Sequence, residues 1–263
     1  MKVVYCLPIA LAIIMSSTVA AKEPDKPLPA KPTAHTTRQV EGWTVHVDNR
    51  LLEGDAAELG ERSLRLLANR LSDIVLILPK PAVERLREVP IWLDQTHGNL
   101  HAMQYHPSSG WLTDNGYATE LAKCVHIPEA ADFSSLRHQR VQPWSVLHEL
   151  SHAYHDQVLD FENPEIKAAW QRFVDGGRYQ KTLHIDGHET KHYALTNQME
   201  FFAELSESYF GMNDFYPFNR GELRQQEPEI FALLGKVWNR SGAELHPPST
   251  SPAPAQPAST VPK

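Results

Sequence analysis

The chain has 263 residues, 41% of them hydrophobic and 22% charged, enough apolar material for a sizeable core and the wrong composition for a wholly disordered or fibrous protein. Its formal net charge of −7 argues against a nucleic-acid surface, which concentrates Lys and Arg. The outlier is a set of 14 histidines, the residue type that serves as acid, base or metal ligand near neutral pH.

Lys2 precedes an apolar run from Val3 to Met15 and then small residues through Ala21, the three-part pattern of a secretory signal peptide, too short to span a bilayer. Residues 1–21 are expected to be removed, giving an exported protein, secreted or periplasmic, with no stable membrane anchor. Cys6 leaves with that segment, so Cys124 lacks an internal disulfide partner and reads as a small buried hydrophobe. Residues 22–38 are rich in Pro, Lys and Thr, and residues 246–263 are almost entirely Pro, Ser, Thr and Ala. Neither composition buries enough area to offset its ordering entropy. Both are expected as disordered flanks of one folded unit over residues 39–245.

Within that unit, Trp43 to Val47 alternates as a strand does. From Asp55 to Leu78 apolar residues recur at helical spacing, and Pro79 ends the run. Val89–Leu93, His101–Tyr105 and Lys123–Ile127 read as short strands separated by turn-rich stretches. Pro143 opens a helix running to about Leu159, and Pro164 opens a second that Gly176 and Gly177 stop. Leu183–Ile185 and His188–Ala194 flank Asp186-Gly187 as a hairpin. A helix follows from about Asn197 to Phe210, and Glu229–Trp238 forms the last. The fold class is α+β, a mixed first half followed by a mainly helical second half.

His148, Glu149 and His152 spell HExxH inside the Pro143 helix. Residues four apart share a helix face, so both imidazoles can bind one zinc, while Glu149, rotated about 100°, can hold a water beside it. A metzincin would carry histidine at position 158, where Val158 stands, so that branch is rejected. His155 lies beyond comfortable reach of the same metal and is expected to be partly exposed or hydrogen-bonded. The third ligand is sought on the Asn197 helix, where Glu200 and Glu204 are four apart and Glu207 extends the stripe. One carboxylate can ligate while another orients a ligating imidazole through its second N–H. The competing reading is a solvated acidic face behind a capping pair of Asn197 and Glu200; Phe201 and Phe202 favour a packed helix.

HExxH followed 48 residues after its second His by Glu200-Phe-Phe-Ala-Glu204 resembles the gluzincin metallopeptidases, most closely the catalytic domain of anthrax lethal factor and its relatives. The resemblance covers about residues 143–210. It implies a zincin-like fold, with a mixed sheet and the HExxH helix in an upper lobe and a mainly helical lower lobe. It implies Glu200 as third zinc ligand, Glu204 as support for a zinc-bound histidine, and Tyr193, seven residues before Glu200, as donor to the oxyanion.

On the residues alone Tyr193 reads as a strand aromatic of the hairpin, with His184, His188 and His192 sharing one face by alternation. His97, His101 and His106 surround a turn-rich stretch and offer a second metal site, although their spacing fits no standard pattern. Trp92, Trp111 and Trp144 are expected in the core. The function expected is that of a zinc metalloendopeptidase, a monomer holding one zinc per chain and acting on a peptide or protein, with an edge strand near Cys124–Ile127 pairing with the substrate. The rival readings are an inactive zincin-like protein that binds peptide or cell-wall material, and a metal-binding protein.

Overall fold

The computed structural model describes residues 28–239; the expected signal peptide and the tail lie outside them. The chain is mixed α+β with a five-stranded mixed sheet. Strands β1 (His35–Val40) and β2 (Trp43–Asp48) pair antiparallel over six residues, joined by Glu41 and Gly42, both at positive φ as a tight hairpin requires. The fold therefore starts before residue 39. Strand β1 has no buried residue and lacks the apolar alternation that marks a strand in sequence; it is held by pairing with β2 and by cross-strand contacts such as Thr37 Oγ1 with His46 Nδ1 and Gln39 Nε2 with Thr44 Oγ1. Strand β3 (Ile91–Leu93) lies parallel to β2, β5 (Val125–Ile127) lies parallel to β3, and β4 (Gln104–Tyr105) closes the sheet antiparallel to β5. The order is β1-β2-β3-β5-β4. The two edges are thus β1 and β4, and the Cys124–Ile127 strand expected at an edge is interior.

Helix α1 (Ala57–Ile77) turns Leu67, Leu71 and Ile74 into the core that also holds Val45, Ile91 and Leu93. Short helices α2 (Lys80–Leu86), α3 (Ser109–Asp114), α4 (Ala130–Phe133) and α5 (Leu136–Val141) fill the crossovers. Trp111, on α3, is 50% exposed rather than in the core.

Helix α6 (Ser145–Tyr154) packs on β4 and β5 and also against α8 (Gln198–Phe210). It continues as a π-helical stretch, His155–Leu159. His155, first in that stretch and seven residues past His148, points inward, where it is 0% exposed and neither ring nitrogen has a partner among the described residues; the expected partly exposed or hydrogen-bonded side chain is enclosed between Phe161 and Phe202. Helix α7 (Pro164–Asp175) starts at an Asn163 cap, and α9 (Arg220–Gln226) and α10 (Pro228–Trp238) complete the helical part. The hairpin is shorter than its sequence pattern, β6 (Thr182–Leu183) with β7 (Glu189–Thr190). His192 lies beyond it, fully buried against Phe173, Tyr179 and Phe215. It therefore shares no face with His184 and His188. Among the described residues no helix is long and apolar enough to cross a membrane.

Candidate metal centre

The two histidines of α6 and one glutamate of α8 meet in a triangle. His148 Nε2 stands 3.1 Å from His152 Nε2 and 3.2 Å from Glu200 Oε2, and His152 Nε2 stands 3.3 Å from the same oxygen. Four-residue spacing on one helix brings the imidazoles together. Glu200 is presented by the start of α8, where the Asn197 side chain accepts from the N–H groups of Met199 and Glu200 at 2.9 and 2.8 Å, a regular N-cap. Tetrahedral coordination with ligand bonds near 2.0–2.1 Å puts donor atoms about 3.3 Å apart. All three edges match that separation, and the donor set of two imidazoles and a carboxylate suits a first-row divalent metal.

Burial opposes charge on His148, but hydrogen bonds to Glu200 and Glu207 outweigh it and raise its pKa well above the usual imidazole value. Burial would also raise Glu200; contacts from His148 and His152 overcome it and hold the carboxyl well below the ordinary range. His148 is thus held as an imidazolium between carboxylates, and a metal taken up there would displace its Nε2 proton.

Glu149 faces the same space from α6 and is raised above the ordinary carboxylate value, first by burial. Its Oε2 accepts the backbone N–H of Tyr105 at 2.7 Å. The edge strand therefore orients Glu149, a contact with no signature in residue type, since every residue but proline carries that N–H.

Behind His148 the arrangement departs from expectation. Its Nδ1 lies 2.7 Å from Glu207 Oε1 and 3.6 Å from Glu204 Oε1, so the supporting carboxylate is Glu207. Glu204 instead accepts from Asn213 Nδ2 at 3.1 Å. Both carboxylates are buried, as are Phe201, Phe202, Ala203, Leu205, Ser206, Ser208 and Tyr209; α8 is a packed helix, not a solvated acidic face. Burial, before neighbouring charge, raises Glu204 well above the usual range and Glu207 to about 7.

Tyr193 sits in a 3₁₀ turn, Tyr193–Leu195, whose cap is the His192 ring accepting from Ala194 N–H at 3.1 Å. It is 48% exposed and lines the same cleft, which encloses about 520 Å³ between Ala102–Tyr105 and the triangle of His148, His152 and Glu200. The opposite wall holds Asp132, His138 and Ser145, linked by His138 Nδ1 to Asp132 Oδ2 at 3.0 Å and His138 Nε2 to Ser145 Oγ at 2.9 Å. That wall has no motif in the sequence. His101 stands apart, 3.3 Å from Glu129, so the His97, His101 and His106 trio does not assemble.

No protein-family model matches the chain, and neither a curated protein nor a solved structure is similar to it.

Proposed function

We propose that the protein is an exported zinc metalloendopeptidase of the gluzincin type, with a zincin-like arrangement of sheet, HExxH helix and helical lower part. The observation that carries this reading is the triangle of His148, His152 and Glu200 with Glu149 beside it. A metal-storage protein needs three donors but has no use for a buried carboxylate of raised pKa next to them. A peptide-binding descendant that has lost chemistry has no use for that base either.

His148 Nε2, His152 Nε2 and Glu200 Oε2 would hold the ion. Zinc supplies Lewis acidity there, polarising a carbonyl and acidifying water. Glu149, with Oε2 fixed by Tyr105, offers Oε1 to take the proton of the attacking water and return it to the leaving amine. Glu207 fixes the His148 ring by accepting from Nδ1, which leaves Nε2 with its lone pair toward the ion. Tyr193 donates its hydroxyl to the developing oxyanion. An extended peptide would lie along the free edge from Ala102 to Tyr105 and gain main-chain hydrogen bonds.

Zinc content and peptide hydrolysis measured on Glu149→Gln test the proposal. The expected result is one ion still bound in this centre with hydrolysis abolished. A variant that cleaves as fast as the parent removes Glu149 from the chemistry, and Glu200→Ala with undiminished zinc affinity removes the third ligand.

A further inference from the structure

A second constellation of donors lies on the sheet, away from the cleft. Asp94 follows β3 and is fully buried. Its Oδ2 meets His97 Nδ1 at 2.6 Å and His126 Nε2 at 2.8 Å, while its Oδ1 meets His35 Nε2 at 2.7 Å. His126 Nδ1 in turn stands 3.3 Å from His106 Nε2. The groups come from β1, the end of β3, the loop after it, the end of β4 and β5, so three histidines far apart in sequence converge on one carboxylate and a fourth, His106, joins through His126. Among the described residues no Lys or Arg pairs with Asp94. A buried carboxylate without a cation is expensive.

We propose that Asp94, His97 and His126 form a second, structural site for a divalent transition metal, zinc foremost. The three donor atoms lie within 4.8 Å of one another and all three residues are buried, unlike the open cleft, and the fourth tetrahedral position would be left to a water. Two imidazoles and a carboxylate are a borderline-soft set that favours zinc over calcium or magnesium. The remaining atoms of the ligands are already held. His35 donates to the free oxygen of Asp94, and His106 faces the second nitrogen of His126, the outer contacts that orient ligands and tune their basicity.

The 2.6 and 2.8 Å separations are hydrogen-bond lengths. In the proton-bridged form His97 Nδ1 and His126 Nε2 each donate a hydrogen to Asp94 Oδ2. Entry of the ion needs those edges to open by about half an ångström toward the tetrahedral separation near 3.3 Å. It also needs each hydrogen to shift to the ring's other nitrogen. His126 Nδ1 then donates to His106 Nε2, whose own hydrogen moves to Nδ1, and no proton leaves the cluster. The bound ion would tie β1, β3 and β5 to the loop that leads to the edge strand.

The test is a zinc count by atomic emission on the full chain, loaded with zinc and passed over a weak chelating resin. The expected counts are two ions in the parent, one in His152→Ala, and none when His97→Ala is added to His152→Ala. The His152→Ala count needs no change in the cluster and stands even if the double variant fails to fold. One ion in the parent with none in His152→Ala overturns this site and leaves the cleft reading intact. One ion in the parent that survives His152→Ala supports this site and sinks the cleft reading. The half-buried His184 and the exposed Asp186 and His188 also lie close enough to share an ion. If His188→Ala, not His97→Ala, removes the second zinc, the assignment to Asp94 is overturned.

Discussion

Replacing Glu207 by Gln separates two readings of the acidic stripe on α8. In the structure Glu207 Oε1 lies 2.7 Å from His148 Nδ1 and Glu204 Oε1 lies 3.6 Å away, so only the first is at hydrogen-bond length. That bond fixes the tautomer that leaves His148 Nε2 free to ligate. Loss of such an outer partner commonly costs about 10- to 100-fold in metal affinity, equivalent to roughly 1.4–2.8 kcal/mol. Gln keeps an acceptor oxygen but not the charge, which puts Glu207→Gln near the lower end, about tenfold. Glu204→Gln should be close to silent. Burial raises that carboxyl well above the usual carboxylate range, which favours its neutral form, and Gln has the same shape as a protonated Glu. The assay is competition for zinc against a chromophoric chelator, with circular dichroism to show that both variants fold. A larger loss in Glu204→Gln than in Glu207→Gln would refute the geometric argument.

Tyr193→Phe should lower kcat by about a hundredfold, the usual consequence of removing one oxyanion donor, while zinc content stays at the parent value; equal turnover would return Tyr193 to a simple rim residue. Burial pushes His155 and His192 down to about 3 from 6.5, so the folded rings stay neutral while the unfolded ones protonate below 6.5. Their contribution to stability is complete above pH 6.5 and is lost as pH falls toward 3, by roughly 2 kcal/mol per ring at about pH 5. Urea titrations at several pH values should show that loss, and His155→Leu should remove about half of it; an unchanged pH slope in the variant would refute the assignment. Gly211→Ala should destabilise by about 1–3 kcal/mol, read as a fall in Tm, because a Cβ there would stand 2.3 Å from the Trp144 ring at the junction of α8 and α6.

Some of this was legible from the chain alone because it depends on short-range periodicity. His148 and His152 are four apart on one helix, Asn197 caps the next, and Glu200 follows at a fixed offset; none of these needs the tertiary fold to be stated. Choosing between Glu204 and Glu207 does need it. Both lie on the stripe that starts at Glu200, and the one that reaches His148 is set by how α8 crosses α6, a property of the packing surfaces of both helices. His155 escaped for a related reason. Seven residues past His148, it lies on the face of α6 turned to α8, and the Phe161 and Phe202 rings that meet it there are placed by packing alone.

The Asp94 cluster marks the far limit of such reading. Its contacts join residues 59 and 32 positions apart, and sequence proximity pointed instead to His97, His101 and His106. Strand order overrides proximity. Parallel β3 and β5 put Trp92 opposite His126 and Leu93 opposite Ile127, so Asp94, one step past the strand, meets the His126 ring. The same sheet order leaves β4 at the edge, where Tyr105 N–H turns to Glu149. The crossover that carries the chain from β3 out to β4 and back to β5 therefore builds both places, and loosening the histidine cluster should be felt at the base of the cleft through His106 and Tyr105, adjacent residues of one short strand end.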